Sequence, residues 1–170
     1  MAIEIERKFL VLNSNYKKEA FDKKSMKQGY LNSDRKRAVR VRISNHRAFL
    51  TVKGDSNDSG LSRFEWEKEI DLSEAEDLLK LCELPILEKT RYYVKQDNHV
   101  FEVDEFFGDN EGLQIAEVEL NSENENFTKP NWLGKEVTRD QRYYNVSLLQ
   151  NPFIKWSKGV NGDEMTESAQ

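Results

Sequence analysis

Seven stretches of this chain alternate polar and apolar side chains with a period of two. They are EIERKFLVL (4–12), RAVRVRI (37–43), AFLTVKG (48–54), RFEWEKEIDL (63–72), KTRYYVK (89–95), HVFEVDEF (99–106) and LQIAEVEL (113–120). Successive side chains of a strand point to opposite faces, so this pattern predicts half-buried, mostly antiparallel strands. Turn-forming segments between them, such as GDSNDSG (54–60) and GDNEG (108–112), predict hairpins.

Helical patterns are fewer. The clearest begins at SEAE (73–76), where a serine N-cap is followed by a glutamate three residues later, and Pro85 is expected to mark its end. Weaker helical patterns cover NYKKEAFDKK (15–24) and DQRYYNVSLL (140–149). The chain is expected to form one domain over residues 1–156, followed by a flexible tail over residues 157–170.

Composition excludes several classes of protein. Charged residues make up 34% of the chain, but the formal net charge is only −5, without the basic excess that a nucleic-acid partner requires. The single cysteine, Cys82, excludes an intrachain disulfide and is expected to be a small buried hydrophobe. No apolar run approaches the ~20 residues of a membrane helix. We therefore expect a cytoplasmic protein with no membrane partner.

The two faces of the predicted strands differ sharply in charge. One face is apolar, as with Val39, Val41 and Ile43. The other carries blocks of one sign: the acidic block comprises Glu4, Glu6, Glu117 and Glu119, and the basic block comprises Arg40, Arg42, Lys53, Lys89 and Arg91. An ordinary solvent-facing sheet explains any single strand. It does not explain the repetition, because like charges two apart on a strand repel each other.

A bound ligand does explain the repetition if the sheet closes with its charged face inward. Arginine and lysine side chains at fixed positions suit a polyphosphate. Clustered carboxylates without a histidine or cysteine nearby suit a hard divalent cation, Mg²⁺ or Mn²⁺, since they cannot all ionise together unless a cation offsets them. The sequence thus predicts a lumen for a phosphate chain and a metal.

An ordered set of motifs resembles a known family. The motifs are EIERKFL (4–10), MKQGYL (26–31), VRVR (39–42), TVKG (51–54), RFEWE (63–67), KTR (89–91), FEVDEFFG (101–108), GLQIAEVEL (112–120) and WLGKEVTRDQRYYN (132–145). In this order and spacing they resemble the CYTH domain proteins of the bacterial triphosphate tunnel metalloenzymes, from about residue 2 to residue 150. The resemblance implies an α+β fold: a closed, eight-stranded antiparallel β-barrel, the tunnel, with helices packed on its outside.

The resemblance also implies roles for individual residues. Glu4, Glu6 and Glu119 would hold the metal, Glu65, Glu67 and Glu117 would lie near it or at a second position, and Asp104 also matches the family, as a further metal-site candidate. Lys8, Arg40, Arg42, Lys53, Lys89 and Arg91 would bind the phosphates. Tyr30 with Lys53 resembles the pair that activates the attacking water, and Lys8 is a third candidate for a catalytic role. Without the resemblance, Tyr30 reads as a buried aromatic residue and Lys8 as an ion-pair partner of Glu4 or Glu6.

Four functions are compatible with these features. The preferred one is metal-dependent hydrolysis of a small triphosphate, inorganic tripolyphosphate, to pyrophosphate and phosphate, with an alkaline optimum because Arg40 and Arg42 would lower the pKa of Lys53. A class IV type adenylate cyclase would instead use ribose as the nucleophile. A thiamine triphosphatase would need an aromatic or apolar mouth, for which Phe106, Phe107 or Trp132 could serve. A polyphosphate or nucleotide sensor would bind without turnover. The oligomeric state stays open, with a homodimer as one option.

Overall fold

The computed structural model describes residues 3–157. Nine strands account for about half of these described residues: β1 (Ile3–Val11), β2 (Asp22–Asn32), β3 (Arg37–Ser44), β4 (Arg47–Ser56), β5 (Ser62–Ile70), β6 (Glu83–Gln96), β7 (His99–Phe106), β8 (Gln114–Glu119) and β9 (Leu133–Glu136). Four short helices accompany them: α1 (Tyr16–Glu19), α2 (Leu72–Leu79), α3 (Ser147–Gln150) and α4 (Phe153–Trp156). No helix within residues 3–157 is long and apolar enough to cross a membrane.

The first eight strands form a closed antiparallel barrel, as expected. Their order is β5-β4-β3-β2-β6-β7-β8-β1, and pairing of β5 with β1 closes the circle, while β9 adds to β1. Directly opposed residues share a face of the sheet. Glu6 lies opposite Glu119, Lys8 opposite Glu117, and Lys53 opposite Glu65. In every strand with alternating polar and apolar residues, the charged face therefore points into the interior of the barrel.

The strands β1 and β3 to β8 coincide with the seven alternating stretches. Strand β2 does not, since the helix predicted over residues 15–24 is confined to Tyr16–Glu19 and β2 begins at Asp22. Local pattern was misleading here because lysines dominate this segment, whereas its pairing with β3 and β6 decides its conformation. Gly29 of β2 has a packing reason: an added Cβ would lie 2.8 Å from the Cβ of Cys82.

Helix α2 lies where the sequence indicated, but its cap was misplaced. Asp71 is the N-cap, and it forms the capping box with Glu74, two residues before the predicted Ser73–Glu76 pair. The helix ends at Leu79, before Pro85, which lies within β6. Cys82 is buried as expected, although it follows the helix instead of lying on it.

The helix predicted over residues 140–149 was also wrong in extent. A 3₁₀ turn covers Gln141–Tyr143, Tyr144 is extended, and only Ser147–Gln150 is α-helical. The side chain of Asp140 accepts a hydrogen bond from the backbone N–H of Arg142, which favours a tight turn over a continuous helix. Of the predicted tail, residues 158–170 lie outside the described part of the chain.

Two apolar clusters lie on the outside of the barrel. One is built on β1 and β6 to β8 around Phe9, Phe101 and Trp132, and it includes Tyr16 of α1. The other joins β3 and β4 to α2 through Val41 and Ala75. Full burial of each large apolar side chain contributes roughly 1.5–3 kcal/mol. These clusters are the expected packing of helices on the outer face.

A third apolar cluster lies inside one end of the barrel, where the sequence pattern had indicated only charge. Leu10, Leu87, Phe106 and Ile115 belong to the inward faces of their strands. They pack against buried side chains of the C-terminal segment: Val137, Tyr143, Val146, Leu148, Leu149 and Phe153. The C-terminal residues therefore fill this end of the barrel, and the charged region occupies the remainder.

Candidate active site

A single charged cavity occupies the barrel interior within the described residues. It is lined by all but one of the site residues expected from the sequence: Glu4, Glu6, Lys8, Tyr30, Arg40, Arg42, Lys53, Glu65, Glu67, Lys89, Arg91, Glu117 and Glu119. The exception is Asp104, which is 1% exposed and lies behind the lining residues. The alternation of charge therefore brings the two blocks together as predicted.

The basic wall holds two arginines, Arg40 and Arg42, on alternate positions of β3. A guanidinium nitrogen of Arg40 lies 3.6 Å from Glu67 Oε2, and one of Arg42 lies 3.7 Å from the same oxygen. The buried Nε atoms of both arginines have no hydrogen-bond partner within the described residues. Burial, together with the charges of Arg40 and Arg91, lowers the pKa of Arg42 to about 10. An anion in the cavity would offset the excess positive charge of this wall.

Asp104 neutralises two further cations of the wall. Its Oδ2 lies 2.7 Å from Lys89 Nζ, and its two oxygens accept hydrogen bonds from Arg91 at 2.7 and 2.9 Å. Burial lowers the pKa of Lys89 to about 7, against the opposing effect of Asp104. Asp104, placed among the metal-site candidates by sequence, thus contacts bases in this structure.

The acidic wall begins with Glu4, whose carboxylate contacts two bases. Lys53 Nζ lies 3.1 Å from Glu4 Oε1, and Arg63 Nε lies 3.6 Å from the same atom. Burial alone would raise the pKa of Glu4, but Lys53, a hydrogen bond from Glu65 and Arg63 together lower it. Burial and the same hydrogen bond raise the pKa of Glu65 to about 7. Glu65 is therefore the more readily protonated of the two carboxyl groups.

Glu6 and Glu117 form a second pair of carboxyl groups whose pKa values are shifted in opposite directions. Burial and the charges of Glu117 and Glu4 raise the pKa of Glu6 well above its ordinary value. Glu117 would also be raised by burial, but Lys8, the hydrogen bond from Glu6 and Arg91 lower its pKa. Glu119 lies opposite Glu6, and its pKa is raised by burial and by Glu4 and Glu102. The acidic wall therefore carries more carboxylate than the bases around it neutralise.

Tyr30 and Lys53 both line the cavity, but the structure gives no hydrogen bond between them within residues 3–157. The ion-pair partners of Lys53 are Glu4 and, at 3.2 Å, Glu65. These are opposite in sign to the arginine neighbours on which the expected alkaline optimum rests, so that optimum stays a prediction.

Comparison with known proteins agrees with this geometry. The CYTH domain matches residues 2–150. The chain belongs to the CYTH domain family. An inorganic triphosphatase of Acetivibrio thermocellus is 49% identical over 156 residues, covering 90% of this chain and 97% of that protein. An inorganic triphosphatase of Nitrosomonas europaea is 39% identical over 149 residues, covering 85% of this chain and 95% of that one.

A solved structure supports the fold of this CYTH domain. The crystal structure of an inorganic triphosphatase superposes with a TM-score of 0.60 at 35% identity, covering 88% of this chain and 95% of that one. The fold of this chain is therefore shared with an inorganic triphosphatase of known structure.

The donor chemistry of the CYTH cavity fits a hard divalent cation. All candidate ligands are carboxylate oxygens, and burial beside other carboxylates raises the pKa of Glu6 and of Glu65, a cost that a hard cation would offset. Within residues 3–157, no three carboxylate, histidine or cysteine side chains already converge as a ligand set. Metal binding would therefore displace protons and the contacts of Glu4 with Lys53 and Arg63.

Several lining residues were missed by the sequence reasoning. They are Arg35, Ala38, Ser56, Gly60, Leu61, Arg63, Glu102, Thr138, Tyr144, Asn145 and Val146. Arg63 and Glu102 belong to the charged face that the alternation of their strands predicts, but they received no role in the predicted site. Tyr144 and Asn145 come from a segment without strand periodicity, and only the WLGKEVTRDQRYYN motif signalled it.

Proposed function

We propose that this protein hydrolyses inorganic tripolyphosphate to pyrophosphate and phosphate with Mg²⁺ or Mn²⁺. The observation that carries this proposal is the lining of the cavity, which is almost entirely charged and polar. Six cations and six carboxylates from the predicted set line it. An inorganic polyphosphate would bind the cations, and a metal ion bound to it would be held by the carboxylates, so no apolar surface is needed. Two relatives of this chain are inorganic triphosphatases.

The aromatic residues considered for an organic group lie elsewhere. Phe106 and Trp132 are each 1% exposed in apolar clusters, and Phe107 is not among the residues lining the cavity. Within the described residues, Tyr30 and Tyr144 are the aromatic side chains of the lining. This arrangement favours tripolyphosphate over thiamine triphosphate, and no feature of the cavity specifically favours a cyclase.

In the proposed reaction the basic wall binds and orients the phosphate chain. Arg40, Arg42, Lys8, Lys89 and Arg91 would neutralise its charge, and fixed cations in a buried site stabilise the charge that develops on the leaving phosphate. Asp104 acts from behind by holding Lys89 and Arg91 in place. The wall therefore supplies alignment and electrostatic stabilisation, which phosphoryl transfer chiefly requires.

The acidic wall would hold the metal through Glu4, Glu6 and Glu119, with Glu65, Glu67 and Glu117 close by. Triphosphatases of this family depend on a divalent metal in general. When bound, the metal supplies charge neutralisation of the phosphates. Lys53 and Tyr30 remain the proposed residues acting on the attacking water, with Lys8 as a third. Of the carboxylates beside Lys53, Glu65 lies 3.2 Å from Nζ and has a pKa raised to about 7, so Glu65 and not Glu4 can take the proton of the water.

The test is phosphate release from tripolyphosphate, ATP and thiamine triphosphate in parallel, with Mg²⁺, with Mn²⁺ and with chelator. We expect metal-dependent release from tripolyphosphate well above the other two, and its loss in Glu4→Ala. Cyclic AMP formed from ATP would instead support a cyclase. Binding of all three without turnover would support a sensor.

A further inference from the structure

The side chain of Asn145 closes the charged cavity at the end next to the internal apolar cluster. It comes from the turn between the 3₁₀ segment Gln141–Tyr143 and α3, and it lines the cavity. Its Oδ1 accepts hydrogen bonds from Lys89 Nζ at 3.0 Å and from Gln28 Nε2 at 2.9 Å. Since an ammonium group can only donate, Oδ1 must be the atom facing Lys89. The orientation of the amide is therefore fixed by its partners.

This orientation leaves the amide nitrogen of Asn145 facing away from Lys89 and Gln28. Nδ2 carries two N–H donors, and among residues 3–157 the structure gives it no acceptor. Asn145 therefore presents neutral N–H donors at the cavity wall, beside the cationic ones.

The same short segment also positions Lys8. Lys8 Nζ lies 3.4 Å from the backbone oxygen of Tyr143 and 5.2 Å from the ring centroid of Tyr144. Two of the phosphate-binding lysines, Lys8 and Lys89, are thus held by residues 143–145. This end of the cavity combines two ammonium groups with the N–H donors of Asn145.

Behind Asn145 the interior is apolar and filled. Val146 lines the cavity and packs into the cluster with Leu87, Phe106 and Ile115 from the inner faces of the strands. A charged phosphate cannot enter such packing without losing its hydration and gaining no partner. This end of the cavity is therefore blind, and a phosphate that reaches it can have no further phosphate or organic group beyond it.

We propose that Asn145 is a specificity-determining residue that receives the unsubstituted terminal phosphate of the substrate. Its Nδ2 donates to an oxygen of that phosphate, while Lys8 and Lys89 supply the charge. These contacts fix the position of the phosphate chain of the substrate within the barrel. The inference rests on the proposed function for the identity of the substrate, but its test separates the two.

The test compares Asn145→Asp with Asn145→Ala. Aspartate has nearly the same shape and keeps an acceptor for Lys89 and Gln28, but it loses the N–H donors and repels phosphate. If Asn145 donates to substrate, KM for tripolyphosphate rises at least tenfold in Asn145→Asp, equivalent to about 1.4 kcal/mol, and less in Asn145→Ala. The kcat should stay within about twofold, since the contact is made in both ground and transition states.

The control variant is Leu149→Ala. Leu149 belongs to the same apolar cluster as Val146 but does not line the cavity. The substitution is expected to lower thermal stability while leaving KM unchanged. If Asn145→Asp binds tripolyphosphate as well as the wild type, or better than Asn145→Ala, the amide nitrogen is not used and the inference is overturned. A fall in kcat at unchanged KM in both variants would overturn it equally.

Binding is measured separately from turnover by calorimetric titration of tripolyphosphate in chelator. If the wild type binds tripolyphosphate but does not hydrolyse it, the proposed function fails. The inference is still supported in that case if affinity is highest for the wild type, lower for Asn145→Ala and lowest for Asn145→Asp. If the wild type neither binds nor hydrolyses tripolyphosphate, both are overturned.

Discussion

Lys89 Nζ lies 2.7 Å from Asp104 Oδ2, and both side chains are 1% exposed. The same carboxylate accepts two hydrogen bonds from Arg91. One buried acid therefore compensates two bases whose other sides meet the cavity. Such an arrangement keeps the bases in place in the absence of substrate, since an isolated charge in the interior is costly.

Replacing this carboxylate should destabilise the fold strongly. In Asp104→Asn, Lys89 and Arg91 lose the charge that compensates them, and removal of one partner from a buried ion pair costs about 3–5 kcal/mol. The measurement is the free energy of unfolding from urea denaturation. The matched control is Asp109→Asn, the same substitution at an exposed position, expected within about 0.5 kcal/mol of the wild type. Equal stabilities of the two variants would refute the assigned role.

The same group predicts a loss of stability in acid. Burial would raise the pKa of Asp104, but Arg91 and Lys89 outweigh it and lower the pKa to about 2 from an ordinary 3.8. Because the folded state binds this proton less readily than the unfolded state, the stabilisation is present above pH 3.8 and disappears as the pH falls through about 2. Denaturation midpoints between pH 6 and pH 2 should converge for the wild type and Asp104→Asn. Parallel profiles would contradict this.

Much of the barrel follows from local sequence. Alternation with a period of two is a property of each strand alone, so it correctly predicted β1 and β3 to β8 and the inward position of their charges. Turn residues were equally local: Asn45 and Asp97 adopt positive φ angles of 53° and 54° between paired strands. Closure of the barrel followed from the family resemblance.

The remainder depends on contacts distant in sequence. The strand conformation of β2 is decided by its partners β3 and β6, so its lysine-rich start gave a wrong helix. Asp104 has the same alternation as Glu102 and both contact Arg91, yet only Glu102 lines the cavity, because the side chain of Asp104 is 1% exposed and is enclosed by Lys89 and Arg91. Asn145 meets Gln28 across 117 positions of sequence, a contact that no local pattern encodes.

Removal of the divalent metal should lower the free energy of unfolding, and this effect should depend on the carboxylates that hold the ion. We expect Mg²⁺ or Mn²⁺ at 100 times its dissociation constant to stabilise the wild type by about 2.7 kcal/mol, because the ion binds only the folded state. Glu4→Gln and Glu119→Gln should abolish this increment, measured as the difference in melting temperature with metal and with chelator for each variant. The melting temperature of each variant with metal is compared with that of the same variant in chelator. The effect of losing the contact between Glu4 and Lys53 is present in both measurements and therefore cancels.

Glu69→Gln is the control for the metal experiment. Glu69 lies on β5 with Glu65 and Glu67, but it is exposed and contacts Arg47 at 2.7 Å. It should retain the full metal increment. If all three variants keep it, the proposed ligand set is wrong.

Phosphate binding by the basic wall predicts that Arg40→Lys and Arg42→Lys weaken substrate binding although they preserve charge. An arginine guanidinium presents parallel N–H donors that can bind a phosphate bidentately, whereas lysine presents a point charge without that geometry. We expect KM for tripolyphosphate to rise about tenfold in each variant, as for loss of a hydrogen bond to a charged group. Arg47→Lys, at an exposed arginine that pairs with Glu69, should leave KM unchanged. A similar KM in all three variants would show that the cavity arginines act by charge alone.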